Sequence, residues 1–130
     1  MMENRGLIIM IDDDADDHEI FRMAVDDLQG TLDCMFFSDC ESAIAHFSDP
    51  EAKPPGYVFI DLKLPRVDGD QCLVQLQQLS QFDDPTLVVY SSSIPEEWRE
   101  RLSKIGVDKI VEKTDSIPEL TSQIRSVVDQ

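Results

Sequence analysis

Short, uninterrupted apolar runs alternate with amphipathic stretches along the whole of this chain, and that alternation narrows the folds open to it. Leu7–Ile11 is five apolar residues in a row. That is too short for a helix and lacks the polar alternation of a half-exposed strand, so it reads as a strand buried on both faces. The stretch after it puts Ile20, Phe21, Ala24, Val25 and Leu28 on one helical stripe, with Gly30 as the expected stop. Residues 32–37 are the second expected strand. Asp39 should then cap a short helix that turns Ala43, Ile44 and Phe47 inward. Pro54-Pro55-Gly56 breaks the chain before a third strand, Tyr57–Ile60. Leu73, Leu76 and Leu79 mark a third helix, and residues 87–90 a fourth strand. Ser93-Ile94-Pro95-Glu96 has the form of a capping box and opens a helix that Gly106 should close. Residues 107–111 make the last strand. A second box, Ser116-Ile117-Pro118-Glu119, precedes Leu120, Ile124 and Val127 at helical spacing.

Strands that alternate with helices argue an α/β chain: a parallel five-stranded sheet with helices on both faces, a three-layer sandwich. With 130 residues, 42% of them hydrophobic, the chain can bury one core. No linker or repeat interrupts it, so residues 1–130 are expected to form a single domain with no output domain. Eleven Lys and Arg against 27 Asp and Glu give a formal net charge of -16. That surface repels phosphate backbones and anionic lipids, which argues against nucleic acid and membrane and for cations and basic protein surfaces. No apolar run approaches the ~20 residues of a membrane helix. Cys34, Cys40 and Cys72 have no CxxC spacing and leave an odd thiol. They are expected to be small buried hydrophobes in a reducing, cytoplasmic setting rather than a disulfide frame or a zinc site.

In an open parallel sheet, ligands bind beyond the carboxyl ends of the strands, where strand order reverses. Here those ends carry Asp12 and Asp13 after the first strand, Asp61 after the third, Ser91 after the fourth and Lys113 after the fifth. With the order 2-1-3-4-5 the first and third strands are neighbours, and Asp12, Asp13 and Asp61 converge. Three carboxylates in one cleft stay ionised only beside a compensating cation. Oxygen donors select a hard ion such as Mg²⁺. A hydroxyl from Ser91 and an ammonium from Lys113 complete the groups that phosphoryl transfer to an Asp needs. Asp14, Asp16 and Asp17 are read as a solvated helix start that suits the helix dipole.

The runs Leu7-Ile8-Ile9-Met10-Ile11-Asp12-Asp13-Asp14, Tyr57-Val58-Phe59-Ile60-Asp61-Leu62-Lys63-Leu64-Pro65-Arg66-Val67-Asp68-Gly69 and Leu87-Val88-Val89-Tyr90-Ser91-Ser92 stand in that order, followed by Lys113. Ser91 lies 30 residues after Asp61, and Lys113 lies 52 after it. In these motifs and spacings the chain resembles bacterial response-regulator receiver domains, of the chemotaxis-regulator and phytochrome-regulator kind, over essentially its whole length. The resemblance implies a flavodoxin-like (βα)5 fold. It implies that Asp61 is the phosphoacceptor and that Mg²⁺ (or Mn²⁺) is held by Asp12, Asp13, Asp61 and the backbone carbonyl of Lys63. Ser91 would follow the phosphoryl group and Lys113 would pair with it. The donor would be a sensor histidine kinase or a histidine phosphotransfer protein. A downstream protein would be met on the face of the fourth helix, fifth strand and fifth helix, with a homodimer left open. Ser92 takes the family's small-residue position.

The sequence departs from the family at three places. Ile110 stands where an aromatic often rotates inward, which predicts a blunted rotamer relay. Thr114 stands where Pro often follows a cis bond. Lys63 and Ser93 occupy positions that tune phosphoryl lifetime. The competing readings are weaker. An EF-hand over Asp12, Asp14 and Asp16 fails, since Asp17 takes the Gly position and Met23 the closing Glu. A haloacid-dehalogenase-type phosphatase needs a second Asp where Lys63 stands, so the chain is not expected to be an enzyme beyond its own phosphorylation and dephosphorylation. A degenerate receiver serving only as a binding module conflicts with the complete acidic set. His18 and His46 lack partners at metal spacing, and Trp98 is expected to pack along its helix.

Overall fold

The computed structural model describes residues 6–28 and 32–129. Five strands, β1 (Leu7–Ile11), β2 (Asp33–Phe37), β3 (Tyr57–Ile60), β4 (Thr86–Ser91) and β5 (Lys109–Glu112), form one parallel sheet in the order β2-β1-β3-β4-β5. The helices between and after them are α1 (Ala15–Asp26), α2 (Cys40–Phe47), α3 (Gly69–Leu76), α4 (Trp98–Ile105) and α5 (Ile117–Val128). The flavodoxin-like architecture and the strand order are as the sequence predicts.

The apolar runs owe their continuity to a two-sided core. Successive side chains of a strand point to opposite faces. In β1, Leu7, Ile9 and Ile11 join the cluster under α2, α3 and α4 with Val58, Ile60 and Val89. Ile8 and Met10 join Phe59, Val88 and Tyr90 on the other face, beneath Phe21 of α1 and Ile124 of α5. The strand is apolar throughout because neither face meets water.

Helix ends follow local chemistry where a side chain can reach. Asp39 accepts a hydrogen bond from the Ser42 backbone at 2.8 Å, and Ser116 accepts one from Glu119 at 3.3 Å. Gly106 closes α4 at φ 103°, a left-handed conformation that favours glycine. The other box does not cap: α4 begins at Trp98, with no side-chain cap bond. Tight backbone bonds from Trp98 to the Pro95 carbonyl and from Arg99 to Glu96 form the turn ahead of it, leaving Ser93 upstream of the helix. Leu79 falls just past the end of α3 yet still packs on the core. Gly30 lies outside the described residues, while α1 ends at Asp26.

The cysteine expectation is corrected. Cys40 opens α2, Cys72 lies in α3, and their sulfurs form a disulfide, with Cα atoms 5.8 Å apart. Both are buried as predicted, but they are not separate thiols. A separation of 32 residues carries no pairing signature; only the packing of α2 on α3 creates the contact. Cys34 is free, and burial pushes its thiol up to about 12, so it stays protonated and unreactive. Denatured, unreduced protein should therefore titrate one thiol and reduced protein three. Reduction should also lower stability by about 3–4 kcal/mol in urea unfolding, the loop-entropy value for such a separation. Three thiols before reduction would refute the pairing.

Candidate functional site

The sheet ladder runs one residue past the strand ends, and this fixes the backbone of the site. Asp12 donates its N–H to Phe37 at 3.0 Å, Asp61 donates to Ile11 at 3.0 Å, and Lys113 donates to Ser91 at 3.0 Å. The side chains of Asp12, Asp61 and Lys113 are thus set at the carboxyl ends of β1, β3 and β5, on one edge of the sheet where the fold opens. Asp12, Asp13 and Asp61 each offer a carboxylate oxygen within 4.8 Å of the others. Asp12 is fully buried, Asp61 nearly so and Asp13 exposed.

Two groups hold the Asp61 carboxylate by its separate oxygens. Ser91 Oγ donates to Oδ1 at 2.7 Å, and Lys113 Nζ donates to Oδ2 at 2.9 Å. The Lys63 backbone N–H also donates to Oδ1, at 3.3 Å. Below the carboxylate, Gly69 packs directly on the Asp61 backbone: an added Cβ would lie 2.2 Å from its carbonyl oxygen. Glycine is required there by space, since the obstacle is backbone that cannot rotate away.

Charge balance is the governing property of the site. Burial raises the Asp12 carboxyl above its usual range, and Lys113 and the Asp14 N–H only partly offset that. Burial also opposes the Lys113 ammonium, but hydrogen bonds to Asp12, Asp17 and Asp61 outweigh it, and its proton is held more tightly than normal. The causes differ: desolvation dominates at Asp12, with the Asp61 charge adding to it, whereas the surrounding carboxylates together dominate at Lys113.

The sequence model of the response regulator receiver domain matches residues 8–125. The chain belongs to this receiver-domain family. A search of curated protein sequences finds no significant match. Among solved structures, the phosphorylated cyanobacterial phytochrome response regulator RcpA aligns at a TM-score of 0.82 with 20% identity, over 97% of this chain and 93% of its own. The Mn(2+)-bound form of response regulator Rcp1 gives 0.76 with 19% identity, over 94% and 91%. The chemotaxis response regulator CheY4 of Vibrio cholerae gives 0.79 with 14% identity, over 95% and 99%. These likenesses concern the fold.

Within this receiver domain, two contacts lie beyond what the sequence suggests. Asp17, read as a solvated helix residue, reaches Lys113 Nζ at 2.7 Å. His18, read as partnerless, places Nε2 2.6 Å from the Asp12 backbone carbonyl and stacks near Phe36 at 5.0 Å. Helical phase could have flagged both, because each lies on the inner half of the first turn of α1. Asp14 instead caps α1, accepting from Asp16 at 2.9 Å, and Asp16 is exposed. Trp98 packs as expected, half-buried against the core with the Arg101 guanidinium 4.4 Å from its ring centre. No peptide bond among the described residues is cis, so Lys113 joins Thr114 in the trans form. Among those residues, no helix is long and apolar enough to cross a membrane.

The donor set of this receiver domain fits a divalent cation. All three donors are hard oxygens, and Asp12 Oδ2 is buried without an aligned hydrogen bond, although Lys113 Nζ lies 2.8 Å away as a charge contact. A cation there would offset the desolvation, and the lesser repulsion from Asp61, that raise the Asp12 carboxyl. Mg²⁺ at a hundredfold excess over its Kd should stabilise the chain by about 2.7 kcal/mol. That increment should shrink as pH falls, because protons compete for Asp12. Without metal, the raised Asp12 pKa means the folded state binds the proton more tightly than the unfolded one. Acidification through that pKa therefore adds stability at this residue. Asp12→Asn should accordingly melt higher than wild type without metal and lose the Mg²⁺ increment. An unchanged increment in thermal denaturation would exclude Asp12 as a ligand.

Proposed function

We propose that this receiver domain is a phosphorylation switch in which Asp61 accepts a phosphoryl group from a phosphohistidine on a sensor kinase or phosphotransfer protein. The observation that carries this reading is the hold on Asp61: Ser91 on one carboxylate oxygen, Lys113 on the other, and the acidic pair beside it. Asp12, Asp13, Asp61 and the backbone carbonyl of Lys63 are assigned to Mg²⁺ (or Mn²⁺). That cation supplies charge neutralisation for the phosphoryl oxygens when bound.

The chain's own residues supply the rest. An Asp61 oxygen forms the bond to phosphorus while the phosphorus–nitrogen bond of the donor breaks, its electron pair leaving on the imidazole, which takes up a proton. The Ser91 hydroxyl and the Lys113 ammonium are placed by the ends of β4 and β5 at hydrogen-bond reach of the acceptor, so they can meet the new anionic oxygens without movement of the sheet. Preorganised donors of this kind add most in a site that excludes water. Phosphorylation then shifts a conformational equilibrium read by a downstream protein at α4, β5 and α5. The proposed setting is cytoplasmic, where histidine kinases present their phosphoryl group.

Incubation with a small phosphodonor and Mg²⁺ should give an acid-stable, base-labile adduct on the wild type and none on Asp61→Asn. Lys113→Ala should retain the fold but lose about a hundredfold or more in labelling rate, the effect of one lost charge-stabilising donor. Equal labelling of wild type and Asp61→Asn, or no labelling of either, would overturn the reading.

A further inference from the structure

An ammonium has three N–H donors, and three carboxylates already surround those of Lys113. Nζ is hydrogen-bonded to Asp17 Oδ2 at 2.7 Å and Asp61 Oδ2 at 2.9 Å, and lies 2.8 Å from Asp12 Oδ2. A phosphoryl oxygen arriving on Asp61 therefore meets a cation with no donor to spare. One present partner has to give way.

Exposure separates the three candidates. The side chain of Asp12 is 1% exposed and that of Asp61 10%, whereas that of Asp17 is 23% exposed. Asp12 and Asp61 also belong to the cation cluster, and Asp17 does not. Asp17 lines an open cleft of about 590 Å³ together with Ser92, Lys113 and Thr114. A carboxylate at that rim can exchange the ammonium for water, while one at the floor would be left buried and unpaired. Asp17 also stands where a doubly charged phosphoryl group would repel it. Its backbone is held by the helix, with N–H donating to the Asp14 carbonyl at 3.1 Å, so the side chain rather than α1 is free to leave.

We propose that Asp17 is a positioning residue that holds Lys113 in the unphosphorylated chain and is the partner Lys113 gives up when a phosphoryl group arrives on Asp61. The idea rests on the acceptor reading of Asp61. Its consequence is that the first turn of α1 senses phosphorylation through a charge exchange, on the side of the sheet shared by α1 and α5. Asp17 acts as an internal competitor that sets the threshold of the switch.

The probe is beryllofluoride with Mg²⁺, a non-covalent mimic of the aspartyl phosphate, titrated by Trp98 fluorescence and backbone-amide NMR. Asp17→Asn should bind it about two- to fivefold more tightly than wild type, the span expected for loss of one partly exposed competing charge pair. Asp17→Glu, which keeps the charge, should return toward wild-type affinity. In wild type the amides of residues 15–19 should shift on binding, and in Asp17→Asn those shifts should be largely lost. Binding to wild type but not to Asp61→Asn, with Asp17→Asn no tighter than wild type, would overturn the exchange while leaving the acceptor reading in place. Failure of wild type to bind, or equal binding by Asp61→Asn, would defeat the acceptor reading and the exchange with it.

Discussion

The hold of one ammonium on three carboxylates is the constraint on which the rest of this structure depends. Two unit charges about 4 Å apart near a protein surface interact by about 4 kcal/mol, so the placing of Lys113 among Asp12, Asp17 and Asp61 outweighs any single surface pair. The arrangement has to be built from far-apart pieces of chain. Lys113 comes from the end of β5 and Asp12 from the end of β1, with β3 and β4 between them in the sheet. Only a parallel sheet brings the carboxyl ends of these strands to one side. The buried apolar strands therefore serve the charge cluster, and the cluster carries an unresolved negative excess that a cation or a proton has to meet.

Rigidity at the site comes from backbone, which side-chain substitution does not easily disturb. The ladder bonds that continue past β1, β3 and β5 leave Asp12, Asp61 and Lys113 little freedom of position. The loop after β3 is held from two sides. Gly69 donates to the Leu62 carbonyl at 2.8 Å and packs on Asp61, and Arg66, at φ 69°, clamps Glu41 at 2.8 Å and Asp39 at 3.1 Å at the start of α2. A non-glycine residue held at positive φ is strained. Here the arginine fork on two carboxylates opposes that strain, and the same helix start is tied to α3 by the Cys40–Cys72 bond. The loop after β3, α2 and α3 are thus cross-tied, while the first turn of α1 follows directly on Asp12 and Asp13 and is joined to Lys113 through the Asp17 side chain.

Much of this was legible in the residues. Unbroken apolar runs such as Leu7–Ile11 revealed the strands because burial on both faces leaves no room for polar alternation. Asp12, Asp61 and Ser91 were legible because each directly follows or ends such a run, where a charge or hydroxyl is costly without a partner. Asp13 stands beside Asp12, and Lys113 was singled out by its spacing of 52 residues from Asp61. The features that escaped depend on distance between elements. Asp17 was hidden in a run of acids that a helix dipole already accounts for; helical phase places it on the inner side with Phe21, but only the fold brings Lys113 to meet it. The Cys40–Cys72 bond needs the packing of α2 against α3. Ser93 shows the limit of a local motif: the same pattern caps α5 at Ser116 but not α4, because tight turn bonds starting at Pro95 delay the helix to Trp98.

Ile110 brings these threads together. It lies in β5 opposite Val89, half-buried against the core on the α2, α3 and α4 face. A β-branched side chain is stiff at χ1, and this one has packed neighbours, so it is poorly suited to the large swing an aromatic could make as Ser91 moves. A signal that leaves the site toward α4 and β5 must then travel by small backbone shifts. The route through Lys113 and Asp17 has no such obstacle, because an ion pair at a wet rim can exchange partners without repacking a core. On the proposed exchange, the face of α1 and α5 would respond at least as strongly as the face of α4 and β5. The chemistry at Asp61 would then be shared with the family, while its readout is set by which neighbours of Lys113 and Ile110 are free to move.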